Sequence, residues 1–191
     1  MATIEYGPGA NLEDLRNQLA SRLALLLMGT SGLLAWLTLP RQPFPIITFG
    51  LLVVLLGFGG GVWALVRVQP ALARHLLVWG LTAILLVAMG FFVDPWFPFL
   101  GLLLAFVSMM LVSGGGIATA GVIATLALWL TLSGARTYPL PYLFVMLALG
   151  VASAWLVVRT LYTALEWTWT MQRRADHLLE VARDRQGELS R

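Results

Sequence analysis

The sequence predicts an all-α integral membrane protein, a six-transmembrane-helix bundle whose last helix continues as a cytoplasmic coiled-coil helix. Three observations predict it. Between Ala20 and Tyr162 the chain is almost continuously apolar, and short Pro-, Gly- or Arg-containing breaks recur at intervals close to the thickness of a bilayer. Hydrophobic residues make up 59% of the chain and charged ones 11%, with a mean hydropathy of +0.85, whereas about a quarter of the residues of a soluble domain are charged. From Gln172 to Arg191 the character changes abruptly to a charged helical pattern. At roughly 20 residues per crossing, the 191 residues hold six spans and leave about 50 residues for the two ends.

Residues 1–18 form a cytoplasmic amphipathic lead-in. Glu5, Glu13 and Asp14 precede the apolar run, which is the reverse of the basic opening of a cleavable signal peptide, so the first crossing is expected to be retained. Asn11 fits an N-cap, with Glu13 and Asp14 in the first helical turn, where the helix dipole favours acids. Span 1 covers residues 19–39 and ends at Pro40, Pro43 and Pro45, which cannot continue a helix. Span 2 covers 46–66. A connector carrying Arg67, Arg74 and His75 follows, then span 3 at 76–93 and a tight aromatic turn, Asp94-Pro95-Trp96-Phe97-Pro98. Span 4, at 99–112, is short. It meets span 5, at 117–132, through Ser113 and three glycines, Gly114, Gly115 and Gly116. The uncharged turn leaves a re-entrant pair, crossing only part of the bilayer, as the alternative for 99–132. A connector from Gly134 to Pro141 leads to span 6 at 142–162, and residues 163–191 form the cytoplasmic helical tail.

Basic residues in short loops set the orientation. Arg16, Arg22, Arg67, Arg74, Arg159, Arg173 and Arg174 fall on one side, against Arg41 and Arg136 on the other. Both termini are therefore expected in the cytoplasm. The outer connectors hold Phe44, Trp96, Phe97 and Tyr138, consistent with an aromatic belt at the headgroups.

No catalytic, cofactor or metal site is legible. The spans hold essentially no ionisable residue near their centres, which disfavours an ion or proton relay. Thr30, Ser31, Ser108, Thr119, Thr125, Thr131 and Ser153 read as hydroxyls returned to the helix backbone. The chain has no Cys, so thiol chemistry and disulfides are excluded. His75 and His177 lie in a connector and in the tail, where a solvated surface role is the plain reading. The triple glycine lacks the following Lys-Ser/Thr of a phosphate loop. Three small-xxx-small pairs are candidates for helix packing: Gly57 with Gly61, Ala120 with Ala124, and Ala148 with Ala152. Packing within the chain is the simpler use of such pairs, and a dimer or ligand groove the other.

The tail has a heptad pattern. Leu165, Gln172, Leu179 and Gln186 fall at a positions and Thr168, Ala175, Ala182 and Leu189 at d, with the charges mainly elsewhere. Only three of these are large apolar knobs, so a solvated amphipathic stub competes with a parallel two-helix output. A helix fed directly from span 6 avoids a separate nucleation cost.

The run Leu161-Tyr-Thr-Ala-Leu-Glu-Trp-Thr-Trp-Thr170, followed by Ala175 and Glu180-Val-Ala-Arg-Asp-Arg-Gln-Gly-Glu-Leu189, resembles the junction between a multi-span sensor region and the signalling helix of bacterial sensor histidine kinases. The resemblance covers about the last 30 residues, with six-span agreement before it. It implies the input half of a two-component receptor in the bacterial inner membrane, either shortened or a stand-alone relative. The family's His-Glu-x-x-x-Pro box and its ATP-lid motifs do not occur in these residues, so kinase activity is not carried over and a non-enzymatic role is expected. The expected function is a sensor that transmits a shift of span 6 to the tail. Its partners would be the lipid bilayer and a second copy through the tail or a larger membrane complex, without nucleic acid. An accessory structural subunit of a larger membrane complex is the alternative, and a small transporter ranks below it because the midplane is poor in polar groups.

Overall fold

Pro8 opens the first helix, where its fixed φ and missing N–H suit a helical N-terminus. The computed structural model describes residues 8–40, 45–112 and 114–189, and the side chains from residue 13 onward except 41–44, 113, 165, 166, 169, 172, 173 and 175–191. The described residues form helices and connecting turns: α1 (Pro8–Thr38), α2 (Ile46–Val66), α3 (Pro70–Phe91), a 3-10 turn (Phe97–Phe99) leading into α4 (Leu100–Leu111), α5 (Gly115–Leu132) and α6 (Leu140–Leu189). Two boundaries correct the sequence reading. Asn11 lies inside α1 rather than capping it, because the helix begins three residues earlier at Pro8. Likewise α3 begins at Pro70, so Arg74 and His75 belong to its first turns and not to a connector.

Five helical segments are long and apolar enough to cross a membrane: Glu13–Thr38, Ile46–Val66, Pro70–Phe91, Gly115–Leu132 and Leu140–Ala164. The sixth apolar helix, Phe97–Leu111, is shorter. Its 12 α-helical residues rise ~18 Å and the 3-10 turn adds about 6 Å, against the roughly 30 Å of a hydrocarbon core. The outward faces are oily, with Trp36, Ile46, Leu103 and Leu132 all more than half exposed. Soluble monomers rarely expose contiguous apolar surface beyond a few hundred Å². A multi-pass membrane protein accounts for this surface, since lipid tails cover it.

Helices alternate in direction, the starts of α1 and α3 sharing a core layer with the ends of α2 and α4; that end of the bundle, from which α6 also exits, is here called the terminal end, and the opposite end is called distal. Two helices are central: α3 packs against α1, α2, α4 and α5, and α4 packs against α1, α3, α5 and α6. For α3, some 44% of the apolar stretch is buried, against 17% for α1 and α2. The core divides into two layers along the bundle. Ala20 and Ala24 of α1, Val62 of α2, Ala73, Leu77 and Val78 of α3 and Leu111 of α4 form the terminal-end layer. Leu85 and Met89 of α3, Leu104 and Ala105 of α4, Ala120, Ile123, Ala127 and Leu130 of α5, and Tyr138, Leu143 and Leu147 form the distal one. Leu111 in the first layer brings the α4–α5 turn level with the first turns of α3, roughly 10 Å along that helix from Pro70.

Glycines let the helices meet closely at the turn. Gly114 has a φ of 75°, the left-handed region that favours glycine. A Cβ on Gly116 would lie 2.6 Å from the Ala105 carbonyl oxygen and 2.9 Å from the Met109 Cβ. Across this contact the Thr119 hydroxyl donates to the Ser108 Oγ at 3.2 Å, while Ser108 donates to the Leu104 carbonyl at 2.6 Å. Both residues are fully buried, so the pair satisfies itself away from water. Thr30, Ser31, Thr125, Thr131 and Ser153 return their hydroxyls to their own helices, at 2.6–2.9 Å from the carbonyls of Leu26, Leu27, Gly121, Ala127 and Gly150.

The last helix is one uninterrupted element. Its 50 residues span ~75 Å, of which Leu140–Ala164 is the apolar part and the last 25 residues project about 37 Å beyond it. Of the heptad seam, Thr168 is exposed. The side chains of Leu165, Gln172, Ala175, Leu179, Ala182, Gln186 and Leu189 lie outside the described residues.

Candidate functional site

At the terminal end one face of α1 turns from apolar to polar. Glu13, Arg16, Asn17, Ala20 and Ala24 recur at helical spacing. Ala20 and Ala24 are completely buried. One turn before them, the Arg16 guanidinium donates to the Tyr162 hydroxyl of α6 and lies 5.6 Å from the centre of its ring. Glu13 Oε1 stands 3.7 Å from Arg74 Nη2 of α3. Arg74 is only 8% exposed, and the Glu13 carboxylate supplies its guanidinium with a counter-charge there. Beside them the Asn17 Oδ1 is buried and has no hydrogen-bond partner among the described residues. This cluster joins α1, α3 and α6 at the level where α6 leaves the apolar layer. The short α4 makes room for it, since the α4–α5 turn packs with Ala20 and Ala24, one turn above Arg16.

Stacking holds two further arginines at this end. Arg67 lies 3.9 Å from the Trp63 ring centre, and Arg159 lies 5.1 Å from that of Trp155. Both contacts are within cation–π range.

The distal end is held by the α5–α6 connector. Arg136 donates to the Gly90 carbonyl at 3.0 Å, and Tyr138 donates to that of Met89 at 3.3 Å. Tyr138 is buried, which corrects its expected place in an aromatic belt: its ring fills the distal core and its hydroxyl ties off the end of α3. Trp96 is exposed, with its backbone N–H donating to Asp94 Oδ1 at 2.9 Å, while Phe97 stacks on Phe92 at 5.1 Å. Phe44 lies outside the described residues.

Burial raises the Tyr138 pKa above that of a free phenol, and the nearby Arg136 charge opposes part of the rise. A folded-state pKa above the unfolded value contributes stability that is fully present below the unfolded value, near pH 10, and is lost as pH rises through the folded value. Thermal melting between pH 8 and 11.5 is therefore expected to show an alkaline loss that Tyr138→Phe reduces. An identical alkaline slope in the variant would show that another group causes the loss.

The small-residue pairs divide between two environments. Gly57 and Gly61 are exposed and, among the described residues, have no atom within 4 Å of where a Cβ would stand, so no helix contact is seen at either. The close approach is at Gly59, whose Cβ would stand 2.9 Å from Met28 Cγ and 3.1 Å from the Ala24 carbonyl oxygen. The sequence carries a signal for it, because Gly59 is one of the four glycines of the same run, residues 57–61. Ala120 and Ala124 of α5 and Ala148 and Ala152 of α6 face one another across an open groove of about 650 Å³, which Ile117, Phe144 and Trp155 also line. A second groove, of about 470 Å³, opens between α2 and α3, with Ile47, Leu51 and Phe91 among its lining residues.

Among the described residues no three of His, Cys, Asp and Glu come together, and His75 is exposed. The chemistry of the terminal-end cluster is therefore that of a polar clasp between helices. The arginine–tyrosine and arginine–glutamate contacts were not legible in the sequence, where Arg16 and Arg74 entered only as positive charges. Comparison of the chain with protein-family models, with curated proteins and with solved structures finds no match.

Proposed function

We propose that the chain is a non-catalytic signal-input module of a bacterial inner membrane, crossing it six times with both termini in the cytoplasm. It passes a shift, tilt or rotation of α6 along the tail to a downstream domain or partner. The reading is carried by the continuity of α6, one helix from Leu140 to Leu189, because an unbroken helix carries a displacement of its membrane half into its polar half as a stiff body. The Arg16–Tyr162 contact supports it by giving α1 a hold on α6 at the exit from the bundle. The tail pairs with that of a second copy through the seam Leu165, Thr168, Gln172, Ala175, Leu179, Ala182, Gln186 and Leu189, where tethering raises the effective concentration of a weak coiled coil.

A dimeric reporter enzyme fused after Leu189 tests this reading. Inserting one to seven alanines after Ala164 should make its output rise and fall with a period of about 3.6 residues, and Tyr162→Phe should shift the basal level. Activity in the cytoplasm is required at every insertion length. A flat response to the insertions, or a reporter found outside the cytoplasm, would overturn the proposal.

A further inference from the structure

The groove between α5 and α6 ends at a cation. On α6 its wall is Phe144, Ala148, Ala152 and Trp155, and on α5 it is Ala120 and Ala124. These α6 residues follow one another at three- and four-residue steps, so they form a single stripe along the helix. The next residue of the stripe toward the terminal end is Arg159. Side chains on a helix lean toward its N-terminus, and Arg159 leans back so that its guanidinium rests 5.1 Å from the Trp155 ring centre. Trp155 itself lines the groove. Among the described residues no carboxylate pairs with Arg159, since their one ion pair joins Arg74 to Glu13. The Arg159 backbone lies five residues before the end of the apolar stretch Leu140–Ala164, about 7 Å from it along the helix, so that on turning from Trp155 toward the C-terminal side its guanidinium reaches the headgroup region.

We propose that this groove is a binding site for one anionic phospholipid, with an acyl chain lying along Ala148 and Ala152 and its phosphate held by Arg159. The site rests on the bundle lying in a bilayer and is independent of the signalling reading. An apolar slot with a guanidinium stacked on one of its lining rings, Trp155, matches a molecule that is apolar along its length and negative at one end. The volume of about 650 Å³ is within the roughly 300–1,000 Å³ of small-molecule sites. Phe144 and Trp155, about 16 Å apart along α6, both stand in the slot. A thin acyl chain can bend past two rings, whereas a partner helix ~10 Å across would have to ride over both. The positive end of the α5 dipole, at Gly115 just before Ile117, adds to the potential on the Arg159 side.

Native mass spectrometry of the purified full chain, titrated with phosphatidylglycerol and with phosphatidylcholine of identical acyl chains, tests the proposal. The protein is expected to retain one phosphatidylglycerol in preference to phosphatidylcholine. Arg159→Gln should weaken that retention roughly tenfold, the scale of one hydrogen bond to a charged group, and remove the headgroup preference. Arg67→Gln is the matched control, because Arg67 also stacks on a tryptophan, Trp63, at 3.9 Å, but Trp63 lines neither of the two grooves described above. It should leave retention unchanged. Ala152→Leu, which fills the slot, should lower retention of both lipids. Ala148→Leu does the same at a second point if the first variant fails to elute as a folded species. Equal losses for Arg159→Gln and Arg67→Gln, equal retention of the two lipids, or undiminished retention in the filled variants would overturn the site. A dimer that Ala152→Leu breaks without changing the lipid count would also overturn it, by assigning the groove to a second copy.

Discussion

Gly116→Ala should destabilise the bundle by about 2 kcal/mol, the usual scale of overpacking a tight contact. The added methyl carbon would stand 2.6 Å from the Ala105 carbonyl oxygen, and its second neighbour is a Cβ at 2.9 Å. Neither is the free end of a flexible side chain. The hairpin can relieve the clash only by spreading α4 from α5, which also stretches the Thr119–Ser108 hydrogen bond of 3.2 Å. Gly57→Ala is the control. It adds a methyl group where nothing lies within 4 Å, and alanine is the better helix former by roughly 1 kcal/mol, so its effect should be neutral or stabilising. Unfolding of detergent-solubilised protein followed by circular dichroism measures both. A midpoint for Gly116→Ala equal to or above that of the parent would mean that the hairpin is looser than described.

The second large effect concerns α6. Spin labels at Tyr142, which is 71% exposed, and at the exposed Arg174 are separated by 32 residues of one helix, or ~48 Å at 1.5 Å per residue. Double electron–electron resonance on protein in nanodiscs is expected to give a single narrow distribution near that distance. Thr163→Pro should broaden and shorten it, since an interior proline removes a backbone hydrogen bond, clashes with the preceding turn and costs ~3 kcal/mol. The bundle should persist in this variant, because Thr163 is exposed and its side chain bonds only the Arg159 carbonyl of its own helix. A parent distribution already broad and centred well below 48 Å would show that the tail does not move as one body with the bundle.

Helix number, order and approximate ends were legible because hydrophobic runs of bilayer length between prolines and glycines have few other uses. The short fourth helix was legible from a different signal, an apolar run bounded by Pro98 and the glycines Gly114, Gly115 and Gly116. Contacts that depend on which helix faces which were not. Arg74 looks like a loop arginine in the sequence, yet Pro70 starts α3 early enough to turn it inward toward Glu13. Tyr138 looks like a headgroup aromatic, yet the connector folds back so that its ring enters the core and its hydroxyl reaches Met89. Small residues at four-residue spacing identify a smooth helix face without naming its neighbour. Gly57 and Gly61 therefore proved open, while Ala120, Ala124, Ala148 and Ala152 came together across a groove.

The brevity of α4 has a consequence for the surrounding lipid. Together with its 3-10 turn the helix reaches about 24 Å, while its neighbours α2 and α3, with 21 and 22 residues, reach ~32 Å. Where the hairpin reaches the surface, with Leu100 and Leu103 of α4 exposed, the apolar girdle is therefore shorter than at α2 and α3. Lipids respond to such mismatch by thinning or by letting the protein tilt, at fractions of a kcal/mol per ångström. A tilt that suits the hairpin also inclines α6, which packs against both α4 and α5. On the proposed function, bilayer thickness would act as a mechanical load on the lever that α6 forms.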